Sequence, residues 1–176
     1  MVLIMIVGAL LASVGSGLAQ DGFVDHGVGA PVAESRGALA YTDAQGRNMV
    51  LILSTDQSER GWVLFVDTAT GEWSQIYYPE GVPNSPPFAS LLSKNGRFYT
   101  FAGPTFLELD LNRREWLFHG KPPAPISCVV GTAMVDGPDG RIYAAAYPST
   151  HVVSYDPGTG ELRDHGQLDP AEQYPF

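Results

Sequence analysis

Leu64-Phe65-Val66-Asp67-Thr68-Ala69-Thr70-Gly71-Glu72-Trp73 is a hydrophobic run that ends in Asp, makes a short turn and restarts on an aromatic residue. The same sentence is written twice more. It reads Leu107-Glu108-Leu109-Asp110-Leu111-Asn112-Arg113-Arg114-Glu115-Trp116, then Val153-Ser154-Tyr155-Asp156-Pro157-Gly158-Thr159-Gly160-Glu161-Leu162. The aspartates are 43 and 46 residues apart. Upstream of each lies a polar glycine turn: Asp43-Ala44-Gln45-Gly46-Arg47, Lys94-Asn95-Gly96-Arg97 and Gly137-Pro138-Asp139-Gly140-Arg141. Downstream of two of them comes a His-Gly pair, His119-Gly120 and His165-Gly166. A third pair, His26-Gly27, stands near the start, and the remaining copy has become Ile76-Tyr77-Tyr78-Pro79.

A period near 45 residues, filled with short β-rich runs, is the signature of β-propeller blades. Each unit reads as four antiparallel strands bounded by Gly, Pro, Asn, Asp and Ser. In the first unit they are expected near Gly37–Thr42, Asn48–Ser54, Trp62–Asp67 and Glu72–Tyr78. In the second they fall near Phe88–Ser93, Arg97–Ala102, Thr105–Asp110 and Glu115–Phe118. In the third they fall near Val130–Val135, Arg141–Tyr147, His151–Asp156 and Glu161–His165. Val50-Leu51-Ile52-Leu53 is apolar at every position, the pattern of a strand buried on both faces. The expected fold is all-β: a partial β-propeller of about three four-stranded antiparallel blades plus flanking strands. Composition agrees, with 20 Gly, 14 Pro and 44% hydrophobic residues, too apolar for disorder and rich in turns.

Residues 1–19 carry no charge, and Val2 to Leu11 is strongly apolar. Gly17-Leu18-Ala19 offers the small residues a signal peptidase reads, so 1–19 is expected to be a signal peptide and 20–176 the propeller. A membrane anchor is the alternative reading of the same stretch. The protein is accordingly expected to be secreted or periplasmic, with an N-terminal membrane anchor as the alternative. The single cysteine, Cys128, sits in apolar sequence and is expected to be a buried, inert thiol. A net charge of −9 with no basic stripe excludes nucleic acid as a partner. No cofactor is implied.

Three units are fewer than a ring requires, since propellers close with four to eight blades. Asp21-Gly22-Phe23-Val24-Asp25-His26-Gly27 matches only the fourth strand of a unit, and Gln173-Tyr174-Pro175-Phe176 looks like the approach to a new first strand. The reading is about 3.5 blades, with missing blades or a second chain needed to close the ring.

The segment from Asp139 to Leu162, Asp139-Gly140-Arg141-Ile142-Tyr143-Ala144-Ala145-Ala146-Tyr147-Pro148-Ser149-Thr150-His151-Val152-Val153-Ser154-Tyr155-Asp156-Pro157-Gly158-Thr159-Gly160-Glu161-Leu162, resembles blades of exported bacterial seven-bladed propellers. The related groups are NHL-like, quinoprotein-like and lactonase-like. It is similar also to blades of propeller polysaccharide lyases such as the ulvan and oligogalacturonate lyases. Neither the double glycine of kelch repeats nor a blade-closing Trp-Asp pair is present.

The rim histidines His26, His119 and His165 all end a fourth strand, so they are expected to lie apart and not to hold a metal. Asp67, Asp110 and Asp156 are expected to cap their own turns. Trp62, Trp73 and Trp116 are expected to pack between blades. His151 occupies a different slot, the link between second and third strands, beside Tyr147. The matching links are Ser54 to Gly61 and Ala102 to Thr105. Such links project onto the funnel face, where loops on a rigid scaffold carry function. Histidine exchanges protons near neutral pH, so His151 with Tyr147 are the candidate acid–base pair, with little packing expected of a hairpin-tip side chain. Arg60, Asp56, Glu59 and Thr105 are the candidate ligand-binding residues. The expected function is a ligand-binding or interaction scaffold for a small molecule, carbohydrate or protein. The alternative is a lyase acting on uronic-acid polysaccharides by proton abstraction.

Overall fold

The computed structural model describes residues 34–55 and 60–174. Within them lie three four-stranded antiparallel sheets, each in sequence order. Blade 1 comprises β1 (Glu34–Thr42), β2 (Asn48–Thr55), β3 (Trp62–Asp67) and β4 (Trp73–Tyr77). Blade 2 comprises β5 (Ser90–Leu92), β6 (Phe98–Ala102), β7 (Thr105–Asp110) and β8 (Glu115–Gly120). Blade 3 comprises β9 (Ile126–Asp136), β10 (Ile142–Pro148), β11 (His151–Asp156) and β12 (Glu161–Gln167). No helix occurs among the described residues. The lone fourth strand expected within Asp21–Gly27 lies outside them.

The turns explain why the strands end where they do. Asp67 Oδ1 accepts from the amides of Ala69 and Thr70 at 2.9 and 3.4 Å. Asp110 Oδ1 does the same for Asn112 and Arg113, both at 3.0 Å, and Asp156 Oδ1 for Gly158 at 2.9 Å. Each aspartate thus satisfies the amides freed where the third strand stops. The segment Asp136-Gly137-Pro138-Asp139-Gly140 is a hairpin turn, closed by Gly137 N donating to Arg141 O at 2.7 Å.

The core is not inside any sheet but between sheets. Blade 2 shows this through the two-residue period of a strand. Phe98 and Ala102 on β6, with Leu107 and Leu109 on β7, join Met49, Leu51, Leu53 and Phe65 of blade 1. Tyr99 and Phe101 on β6, with Phe106 on β7, join Ile142, Ala144, Val153 and Tyr155 of blade 3. Blade 2 is therefore buried on both faces, and β6 is buried at all five positions. Val50 and Ile52 of blade 1 are only partly buried, as are Tyr143, Ala145 and Tyr147 of blade 3. The expectation of two-sided burial at Val50–Leu53 is corrected on that ground. Leu51 and Leu53 meet blade 2, whereas Val50 and Ile52 point the other way.

The tryptophans divide. Trp116 is the interblade residue that was expected: its Nε1 donates to the Tyr77 carbonyl at 2.8 Å and its ring meets Tyr78 edge-on at 5.7 Å. Trp62 is buried. Trp73 is 54% exposed and does not pack between blades, because its partner in the ladder is Val66, on the face turned away from blade 2. Cys128 is half-buried rather than buried, and burial pushes its thiol up, which suits an inert group.

Polar ties reinforce the stacking. Ser93 Oγ donates to Asp136 Oδ1, and the Lys94 amide donates to Asp136 Oδ2 at 3.2 Å, joining blades 2 and 3. The Ala44 amide donates to Asn112 Oδ1 at 2.9 Å, joining blades 1 and 2.

Candidate functional site

In a four-stranded meander the link between strands two and three leaves from one end of the blade. The other two turns leave from the opposite end. The links of blades 2 and 3, and the strand ends Thr55 and Trp62 of blade 1, therefore share one end of the stack. Gly103, in the link of blade 2, lies beside Ser85 and beside the Ser127 carbonyl at the start of blade 3, so a Cβ there would sit 3.6 and 3.7 Å from them. The neighbours of Ser127, Cys128 and Ile126, pair with Tyr147 and Pro148. The links Ala102–Thr105 and Tyr147–His151 are thus side by side.

The blade 3 link is clamped. Thr150 adopts a left-handed backbone, φ 55°, unusual for a β-branched residue. Its amide donates to the Ala146 carbonyl at 2.8 Å, and its Oγ1 lies 2.7 Å from the Asp169 carbonyl. Ser149 Oγ donates to the Pro125 carbonyl. The segment after β12 and the connection before β9 hold the link from both sides.

His151 leads out of this clamp. Its Nδ1 lies 2.9 and 3.0 Å from Asp164 Oδ2 and Oδ1. Burial works to raise the Asp164 carboxyl, but the Gly166 amide at 2.8 Å and His151 outweigh it and hold the group below the usual carboxylate range. An ionised carboxylate offers only lone pairs, so Nδ1 carries a proton toward Asp164. In the neutral ring Nε2 then keeps the free lone pair. The His151 side chain is 19% exposed, so it is more tightly held than a hairpin-tip residue was expected to be.

The other expected residues are placed differently. The Tyr147 ring meets the Tyr174 ring at a tilt of 39°, centroids 4.8 Å apart, and the Tyr174 hydroxyl raises its own, with burial adding to it. Tyr147 shares a face with Tyr143 and Ala145, while His151 shares the opposite face with Val153 and Tyr155, so the fold does not pair Tyr147 with His151. Thr105 is buried, and its Oγ1 has no hydrogen-bond partner among the described residues. Arg60 donates to the Tyr78 carbonyl and lies 5.5 Å over the Tyr77 ring. It belongs to blade 1, with blade 2 between it and His151. Asp56 and Glu59 lie outside the described residues. His119 and His165 sit on outermost strands as expected, and His165 Nε2 is 2.8 Å from Ser154 Oγ. His26 is outside the described residues.

A second polar cluster was not anticipated. Glu108 is 2% exposed and faces blade 3. It accepts from Tyr155 OH at 2.6 Å, from Arg97 Nη1 at 3.0 Å and from Tyr99 OH at 3.3 Å. Burial first, and then the Glu108 charge, pushes the Tyr99 hydroxyl up to about 12. Burial and Glu108 push Tyr155 up as well. A glutamate between two leucines in a strand is the signal that marked it. The slot holds Phe65 in blade 1 and Ser154 in blade 3.

The fold and its stacking define the class: this chain is all-β, a partial β-propeller of three four-stranded blades among the described residues. Among solved structures it is similar to virginiamycin B lyase from Staphylococcus aureus, with a TM-score of 0.52 and 14% identity over 74% of this chain and 41% of that one. It is similar also to a catalytically inactive variant of virginiamycin B lyase from Staphylococcus aureus with quinupristin, with a TM-score of 0.55, 14% identity and the same coverage. The chain therefore spans less than half the length of these lyases, and at this identity the likeness establishes the fold alone. No family model matches the chain, and no curated protein sequence matches it.

Proposed function

We infer that the chain is the blade-bearing part of an exported propeller that serves as a ligand-binding or interaction scaffold. Its ligand, a small molecule, carbohydrate or protein, seats on the face of the links between second and third strands. The observation that carries this reading is the seating of Gly103 against Ser85 and Ser127, beside the clamped link of blade 3. Loops fixed on a rigid sheet end are pre-organised to bind. The uncharged residues 1–19 support export. The partly exposed outer faces of blades 1 and 3 support ring closure by further blades or by a second chain. The test is a titration of the labelled chain with a panel of oligosaccharides, followed by amide shifts. Perturbed amides should gather at Ala102–Thr105 and Tyr147–His151. Shifts confined to the opposite turns would contradict the reading.

A second reading is a lyase, and the His151–Asp164 pair favours it. A carboxylate that orients an imidazole leaves Nε2 as a base able to take a proton next to a carbonyl. The structural neighbours named above are lyases, and a uronic-acid polysaccharide is the substrate class the blade resemblance implies. Unsaturated product absorbance on such polymers is the assay. Activity lost in both His151→Ala and Asp164→Asn supports this reading, and activity retained by His151→Ala removes it.

A further inference from the structure

The fourth residue after each turn aspartate has a left-handed backbone: Gly71 at φ 73°, Gly160 at φ 74° and Arg114 at φ 56°. Glycine adopts that conformation freely, whereas a residue with a Cβ is strained by it. Blade 2 alone places a side chain there, and retained strain points to a use for that side chain.

The side chain crosses to blade 1. The Arg114 guanidinium lies 5.0 Å over the Phe65 ring and donates to Ser74 Oγ. With Arg47, Asp67 and Glu72 it lines a cleft of about 120 Å³ at the end of the stack opposite the His151 link. The charges around it are mostly spoken for. Arg47 is held by Asp43 at 2.7 Å and approaches Asp67 at 3.9 Å. Asp67 also takes the amides of its own turn. Arg114 itself makes no ion pair among the described residues. One of its five donors serves Ser74, and the planar fork otherwise matches a carboxylate, which it can bind through two parallel hydrogen bonds. The cleft has the volume of about four water molecules, enough for one such group. Glu72, exposed at its edge, opposes ligands of higher negative charge.

We propose that the cleft between blades 1 and 2 binds the carboxylate of a small acidic ligand through Arg114, with the Ser74 hydroxyl as the second contact. Acetate is the probe. It is titrated into the labelled full chain at ionic strength held constant with sodium chloride, and amide shifts are followed. Saturable shifts at Ser74, Arg114 and Glu115 are expected, and none with neutral acetamide. Arg114→Gly restores the residue of the sister turns and should fold normally while losing the response. Arg114→Gln keeps a polar side chain at this position without the charge or the fork and should lose it too. An absent response in the wild-type chain, an equal response to acetamide, or a response that survives in both variants overturns the proposal. Because this cleft lies at the opposite end from the His151 link, the outcome is separate from that of the oligosaccharide titration.

Discussion

Glu108 is the residue on which the blade 2–blade 3 interface is most exposed to error. A buried carboxylate is tolerated only when its lone pairs are filled, and here two tyrosines and an arginine fill them. Tyr155→Phe leaves one acceptor unpaired and is expected to cost about 1–3 kcal/mol, measured as a shift in urea midpoint at constant slope. An unchanged midpoint would mean that the carboxylate is satisfied without Tyr155. Asp164 gives a pH signature. Its folded-state carboxyl sits below its unfolded value of about 3.9, so its stabilising contribution is fully present above about pH 4 and is lost as the pH falls through the folded value. The melting-temperature gap between the wild type and Asp164→Asn should therefore shrink on acidification. A gap that widens instead would show that Asp164 is not held by Gly166 and His151.

At the scale of elements, the hairpins were legible because their ends are chemically punctuated. Trp62–Asp67, Thr105–Asp110 and His151–Asp156 are strands to the residue, each stopped by an aspartate that caps its own turn. What the sequence does not carry is which face of a strand meets a neighbour. Val50–Leu53 and Phe98–Ala102 are both mainly apolar, but among the described residues only the second has a blade on either side. Trp73 was misplaced for the same reason. The site was half legible: the slot of His151 follows from the repeat, whereas Asp164 reaches it through a register shift between His151 and Val153 that no local pattern announces. Gly96 tests the turn chemistry. Its φ is 80° and a Cβ would meet nothing within 4 Å, so Gly96→Ala should cost about 1 kcal/mol from backbone conformation alone. Chemical denaturation measures it, and a neutral result would remove the left-handed turn.

At the scale of the molecule, stability resides between repeats rather than within them. Each sheet has little of its own to bury, and blade 2 supplies one face to each of two apolar clusters. Phe106, fully buried against Tyr99, Phe101 and Tyr155, is the centre of one. Phe106→Ala should cost about 3–5 kcal/mol. The central claim is that the three repeats are blades packed face to face in series, and a nuclear Overhauser spectrum of the folded chain tests it directly. Cross-peaks are predicted between the Trp116 and Tyr78 rings, 5.7 Å apart across blades 1 and 2, and between the Phe118 and Tyr155 rings, 4.7 Å apart across blades 2 and 3. A spectrum with the intrablade Phe101–Phe106 contact but neither interblade contact would contradict the stacking, and with it every placement drawn from it.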